Sequence, residues 1–273
     1  MDLLSKLTRV ERTELGTVLL AAALFFFLLC SYYILRPLRE EMGIAGGTRN
    51  LPWLFQITLL ATLLATPVFG WMTRRFQSRK FLVYTYRFFG ANLLVFLVLL
   101  KFLPKGAEIV LGRVFYVWIS VFNMFLVSLF WAFMAEGFGL SQSKRLFGII
   151  AVGGSLGATL GAALTAFLVG VLGRVNLILI SVILLELAVQ IVGVLRRRFD
   201  RKRVETSSTS PQKKPPPTRS VRSLDPTPRP SLWEGLLLVI RSRYLLGIAI
   251  FLFCYSFAST ILYFEQANIV ANA

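Results

Sequence analysis

The residues best suited to chemistry in this chain are a few arginines and acids set in or beside long apolar runs. Arg36 and Arg39 stand three apart, Glu40 follows four after Arg36, and Pro37 lies between them, all at the end of the first run. On a helix these side chains are neighbours. A guanidinium keeps its charge and grips phosphate or carboxylate through two parallel N–H bonds. Two of them together suit a polyanionic ligand. Pro37 lacks a backbone donor and crowds the preceding turn, which predicts a broken helix end that presents them. Lys144 and Arg145 form a second basic pair at the start of the fifth run, with Glu136 shortly before them. Arg87 lies inside the third run and Glu186 inside the sixth, with Gln190 one turn further on. Ionisable groups at such depth are costly, so both are candidates for charge pairing or proton coupling. Asn123, in the middle of the fourth run, can hydrogen-bond across helices. Asn92 follows Arg87 by five residues and is placed to share its polar face.

Other chemistries are excluded. The chain has no histidine, which removes Ser–His–Asp triads, zinc hydrolase sites and histidine proton relays. Its two cysteines, Cys30 and Cys254, both sit in apolar runs and cannot by themselves form a disulfide framework or a metal site. Gly153, Gly157 and Gly161 recur every fourth residue but do not form a nucleotide loop: no Gly-x-x-x-x-Gly-Lys-Ser/Thr is present, and the stripe lies within an apolar run. Its spacing instead predicts a smooth helix face against which another backbone packs closely. No acid–base or nucleophile–base pair is visible, so neither an enzyme nor a cofactor is expected.

The elements that must carry these residues are helices in a membrane. Hydrophobic residues make up 56% of the 273, with 24 phenylalanines. Apolar runs cover 15–35, 51–73, 81–103, 111–135, 146–172, 175–195 and 244–264. Each reaches the ~20 residues that a helix needs to cross a bilayer. Helices satisfy their own backbone, as hydrocarbon requires, and the alternation of a barrel strand is missing. The fold class is therefore all-α integral membrane: a six-span bundle over 1–195, a linker over 196–243 and a seventh span within 244–273. The linker holds Pro215, Pro216 and Pro217 among other prolines, with many Ser and Thr, a composition that predicts disorder.

Charge sets the orientation. With the N-terminus inside, the inner segments carry twenty-two Lys and Arg against seven outside. The short loop Arg74–Lys80 and the linker dominate this bias. The N-terminal run is too long for a signal peptide and lacks its cleavage pattern, so it reads as a retained span. The net charge of +17 lies largely in the linker, where thirteen basic residues face four acids. That places it against anionic lipids and leaves nucleic acid an unexpected partner.

Six spans, a basic inner loop and a further span resemble the layout of the major facilitator superfamily, where two six-span halves each nest inverted three-span repeats. The loop 70–80 resembles that superfamily's Gly-x-x-x-Asp-Arg-x-Gly-Arg-Arg motif in position and basicity, with Arg74 in place of Asp and Gln77 in place of the second Gly. On that layout the chain holds the N-terminal half of a facilitator-type fold and the first helix of a second half, and it reads as a fragment of a longer product.

Three segments carry a closer resemblance: Tyr32-Tyr33-Ile34-Leu35-Arg36-Pro37-Leu38-Arg39-Glu40, Val127-Ser128-Leu129-Phe130-Trp131 and Lys144-Arg145-Leu146-Phe147-Gly148. They resemble the nucleotide transporter family, the ADP/ATP translocase group of plastids and bacteria. The resemblance implies exchange or import of ATP, ADP or a related organic anion by alternating access, in a bacterial cytoplasmic membrane. It implies that Arg39 takes the place of a basic residue important for transport. Arg36, Glu40, Asn123, Lys144 and Arg145 complete the expected substrate-binding set. Exchangers of that family carry an acid in the middle of span four, where this chain reads Ser120-Val121-Phe122-Asn123. The alternatives are a membrane protein that binds or assembles without transporting, on the same scaffold, and an inactive fragment of a transporter.

Overall fold

In a computed structural model, residues 12–45, 47, 50–75, 79–102, 106–209 and 239–272 are described, and no strand occurs among them. Seven long helices follow in order: α1 Arg12–Ile44, α2 Leu51–Arg75, α3 Arg79–Phe102, α4 Glu108–Gly137, α5 Leu140–Leu172, α6 Leu177–Thr209 and α7 Arg243–Asn272. All seven are long and apolar enough to cross a membrane. The expected spans and their order are therefore present, and the protein is an all-α multi-pass membrane protein. The chain divides between Ser207 and Ser208; α1–α6 belong to the first unit and α7 to the second.

Within the first unit α1 is the central helix, in contact with α2, α4 and α5. Its seam with α5 follows from the glycine stripe. A Cβ on Gly153 would strike the Ala22 carbonyl, one on Gly157 the Phe26 carbonyl, and one on Gly161 would lie 2.6 Å from the Cys30 carbonyl oxygen. One turn further, Thr165 Oγ1 donates to the Ile34 carbonyl at 3.4 Å. Each α5 residue meets the α1 residue 131 positions earlier, so the two helices run parallel and in register. Small residues let the backbones touch, which is the main source of helix–helix attraction where lipid removes the hydrophobic driving force. Because each carbonyl fills one glycine notch, α1 and α5 are keyed together and do not slide freely.

Aromatic packing fills the rest of the core. Phe25 of α1 stacks on Phe130 of α4 at 4.2 Å between centroids. Between α3 and α4, Phe89 meets Trp118, Phe122 and Phe125 at 5.1–5.6 Å. A polar clasp joins α1 to α6: Ser31 Oγ donates to the Ser181 carbonyl at 3.0 Å, while Ser181 Oγ donates to the Ser31 carbonyl at 2.9 Å.

Two local expectations are revised. The break at Pro37 does not occur, because α1 continues through it to Ile44. One lost backbone bond is outweighed where Leu35 and Leu38 are buried on either side and Gly43 lets the last turns close on the Tyr116 ring. The linker does not begin at 196 either, because α6 is helical to Thr209. Phe199 is buried against Phe133 and Phe138, at 5.6 and 5.2 Å, and this holds the basic stretch after 195 onto α4 as helix. Most of the remaining linker lies outside the described residues.

Candidate functional site

Near its C-terminal end, α1 brings Arg36, Arg39 and Glu40 together. Arg39 Nη1 donates to Glu40 Oε1 at 3.2 Å, and Arg36 Nε lies 4.0 Å from the same oxygen. The Arg39 side chain is only 14% exposed, and its guanidinium lies 4.0 Å from the centroid of the Tyr116 ring of α4. Tyr116 is itself buried. A guanidinium on an aromatic face is attracted by the ring quadrupole and held in one plane. Arg39 Nε is buried without a hydrogen-bond partner among the described residues. Arg36 is more open and leans on Tyr33, 5.5 Å from the ring centroid. The arrangement is a fixed cation beside a second, looser one, with one carboxylate between them. A phosphate displacing Glu40 from Arg39 would meet a preset donor plane.

Asn123 lies seven residues beyond Tyr116, so it faces nearly the same way, roughly 10 Å along α4. It is half-buried and makes no side-chain hydrogen bond among the described residues, which leaves its amide available to a ligand.

The second basic pair is at the other end of the α1–α5 seam. Arg145 Nη2 donates to Glu14 Oε2 at 3.4 Å, and Gln142 also donates to Glu14. Glu14 is buried, 5% exposed. Lys144 is exposed and has no ion pair among the described residues. Twenty-five residues of helix separate Glu14 from Arg39, roughly 37 Å at the usual rise. The two basic groups therefore mark opposite ends of one helix pair and cannot hold one small ligand together. A further clasp, Arg174 to Glu41, closes the Arg39 end of the same seam.

Arg87 and Glu186 meet across α3 and α6. Arg87 Nη2 donates to Glu186 Oε1 at 2.8 Å and Nε to Oε2 at 3.4 Å, while Gln190 Nε2 donates to Oε1 at 2.7 Å. Asn92 does not join them, since its amide donates to the Phe88 carbonyl of its own helix at 2.8 Å.

Glu14, Gln142 and Tyr116 had no place in the sequence expectations. The available signal was an acid at the start of one odd-numbered span and an arginine at the start of another, since odd spans begin on the same side. No group of three or more His, Cys, Asp or Glu able to hold a metal occurs among the described residues.

The profile of the TLC ATP/ADP transporter family matches residues 112–266, more than half of the chain. The chain belongs to the TLC ATP/ADP transporter family. It is a nucleotide transporter. The matched stretch takes in Asn123, Lys144, Arg145 and Glu186, while Arg36, Arg39, Glu40 and Arg87 precede it. No curated protein and no solved structure matches the chain.

Proposed function

We propose that this nucleotide transporter works by alternating access on a facilitator-type scaffold, with Arg36 and Arg39 receiving substrate phosphate at one mouth and Lys144 at the other. Arg145 serves the second mouth when it leaves Glu14. The carrying observation is Arg39, a half-buried guanidinium held at 4.0 Å on Tyr116 with its buried Nε unpaired. Glu40 shields it until the anion arrives, and Asn123 offers a neutral contact deeper in. The excess of basic residues in the inner loops supports a cytoplasmic N-terminus. With that orientation Arg39 faces outward and Lys144 inward, in the cytoplasmic membrane of a bacterial cell. The six helices α1–α6 form the moving half, and the Pro- and Ser-rich stretch after α6 links it to the helix that follows.

Uptake of radiolabelled ATP and ADP into proteoliposomes preloaded with either nucleotide tests this reading. Arg39→Gln is expected to lower uptake about tenfold or more, as loss of one charge-assisted phosphate contact does, and Arg39→Lys is expected to restore part of it. Uptake by Arg39→Gln equal to that of the unaltered chain would remove Arg39 from the substrate path. Exchange and import separate in the same assay, because exchange requires nucleotide inside the vesicles.

A further inference from the structure

The Arg87–Glu186 pair lines a groove between α3 and α6 that the nucleotide path does not use. The groove has a volume of about 210 Å3, and Tyr86, Gly90, Leu94, Val182 and Val189 are among its lining residues. That is below the ~300 Å3 at which pockets begin to enclose a drug-sized ligand, so the groove holds only part of a molecule laid along it. Its walls are apolar apart from the ion pair. Large apolar side chains flank it on both helices: Tyr84 and Phe88 on α3, and Ile183 and Leu187 on α6, are all exposed. In a membrane protein such a surface meets acyl chains.

The ion pair is only partly satisfied. Arg87 is 54% exposed and Glu186 46%. The guanidinium gives two N–H groups to Glu186 and leaves Nη1 with no partner among the described residues. On the carboxylate, Oε1 receives both Arg87 and Gln190, whereas Oε2 has only the 3.4 Å contact from Nε. One donor nitrogen and one acceptor oxygen of the same ion pair are therefore open, opposite in charge. Arg87 is six residues into the span Phe81–Phe102, roughly 9 Å at the helical rise. Tyr84, one turn earlier, is the kind of residue that settles at the headgroup level. A long arginine side chain reaches that level from such a depth.

We propose that this groove binds a phospholipid with a primary ammonium headgroup: its phosphate on Arg87 Nη1, its ammonium on Glu186 Oε2, and the start of an acyl chain along Gly90, Leu94 and Val182. The charge order of such a headgroup matches the two open valences of the pair. An anionic headgroup without an ammonium would leave Oε2 unmatched and face the carboxylate. A choline headgroup has no N–H to donate. The site does not depend on Arg39 or on the nucleotide reading.

The test uses the full chain, delipidated in detergent and titrated with phosphatidylethanolamine, phosphatidylcholine or phosphatidylglycerol, with bound lipid read by native mass spectrometry. Phosphatidylethanolamine is expected to bind about tenfold more tightly than either of the others, the ratio one charge-assisted hydrogen bond supplies. Glu186→Gln keeps the shape of the side chain and is expected to erase that preference while phosphate binding persists. Ala91→Phe leaves the pair intact, fills the groove and is expected to weaken binding of all three lipids; its elution as a monodisperse species controls for folding. Equal binding of the three lipids by the unaltered chain overturns the proposal, as does a preference that survives Glu186→Gln. Tightest binding of phosphatidylglycerol would mean simple attraction to Arg87 and also overturns it. Efficient disulfide linkage of two copies through Tyr84→Cys in vesicles would make the face a contact between copies and exclude the lipid.

Discussion

The α1–α5 seam and the α3–α6 groove are two ways of placing helices side by side in the same bundle. Along the seam, glycines admit backbone to backbone over three turns and charges are kept to the ends, where Arg145 meets Glu14 and Arg174 meets Glu41. Along the groove the backbones stay apart, and an ion pair stands within the span with both partners about half exposed. A seam with no gap leaves nothing for a ligand and suits a rigid moving body. A groove with unfilled valences costs stability unless something fills it, so ligands belong there. Arg39 follows the same rule at the edge of the seam, where α1 and α4 leave its guanidinium on the Tyr116 ring with one nitrogen unpaired.

The hardest blow to the comparison would be to open the seam. Gly157→Val places branched carbons into the backbone of Phe26, and neither helix can shift without dragging the neighbouring notches. The expected cost is about 3 kcal/mol or more, the upper range for overpacking. It should be read as loss of monodisperse protein in detergent and a fall in the thermal midpoint of about 6–12 °C, given the few degrees that each kcal/mol moves a chain of this size. A midpoint within ~2 °C of the unaltered chain would mean that α1 and α5 are not keyed.

A smaller effect is expected at the end of the seam. Glu14 is 5% exposed and holds both Arg145 and Gln142. Glu14→Ala removes two charge-assisted bonds and leaves Gln142 and Arg145 to find water, at a cost of about 2 kcal/mol. Because Arg145 is still one-third exposed, part of that cost is recovered by hydration. Limited proteolysis of the loop 138–140 should accelerate while the seam interior stays protected. Equal digestion rates would show that the clasp contributes nothing to closing this end.

Much of this contrast was legible in the sequence because hydrocarbon permits few solutions. Seven apolar runs of spanning length can only be helices, and a glycine every fourth residue can only make a close face. What was misread depended on neighbours that a linear reading does not supply. Pro37 obeys its local rule in isolation, yet the buried Leu35 and Leu38 and the Tyr116 ring keep the helix whole. The stretch after 195 looks like linker by composition, but the single buried Phe199 carries it as helix onto α4. Arg87 and Glu186 each stood out as intramembrane charges, but their meeting across 99 residues is a property of the packing. The meeting of Arg145 with Glu14, 131 residues away on a parallel span, was hidden in the same way, since nothing in the order of the chain announces which spans adjoin.

The smallest effect is expected where the same substitution falls in the groove. A Cβ on Gly90 would lie 3.6 Å from Leu185 Cδ2, ordinary van der Waals contact, and would touch nothing closer. Gly90→Ala therefore meets no backbone and gains helix propensity, so it should raise stability by no more than about 1 kcal/mol. Set beside Gly157→Ala, where the added carbon meets the Phe26 backbone, this is one methyl group placed at two helix–helix contacts of one bundle. If α3 and α6 close on each other as α1 and α5 do, the two variants should unfold at the same temperature. A gap between their midpoints, with Gly157→Ala the lower, is the outcome that an open groove and a closed seam require.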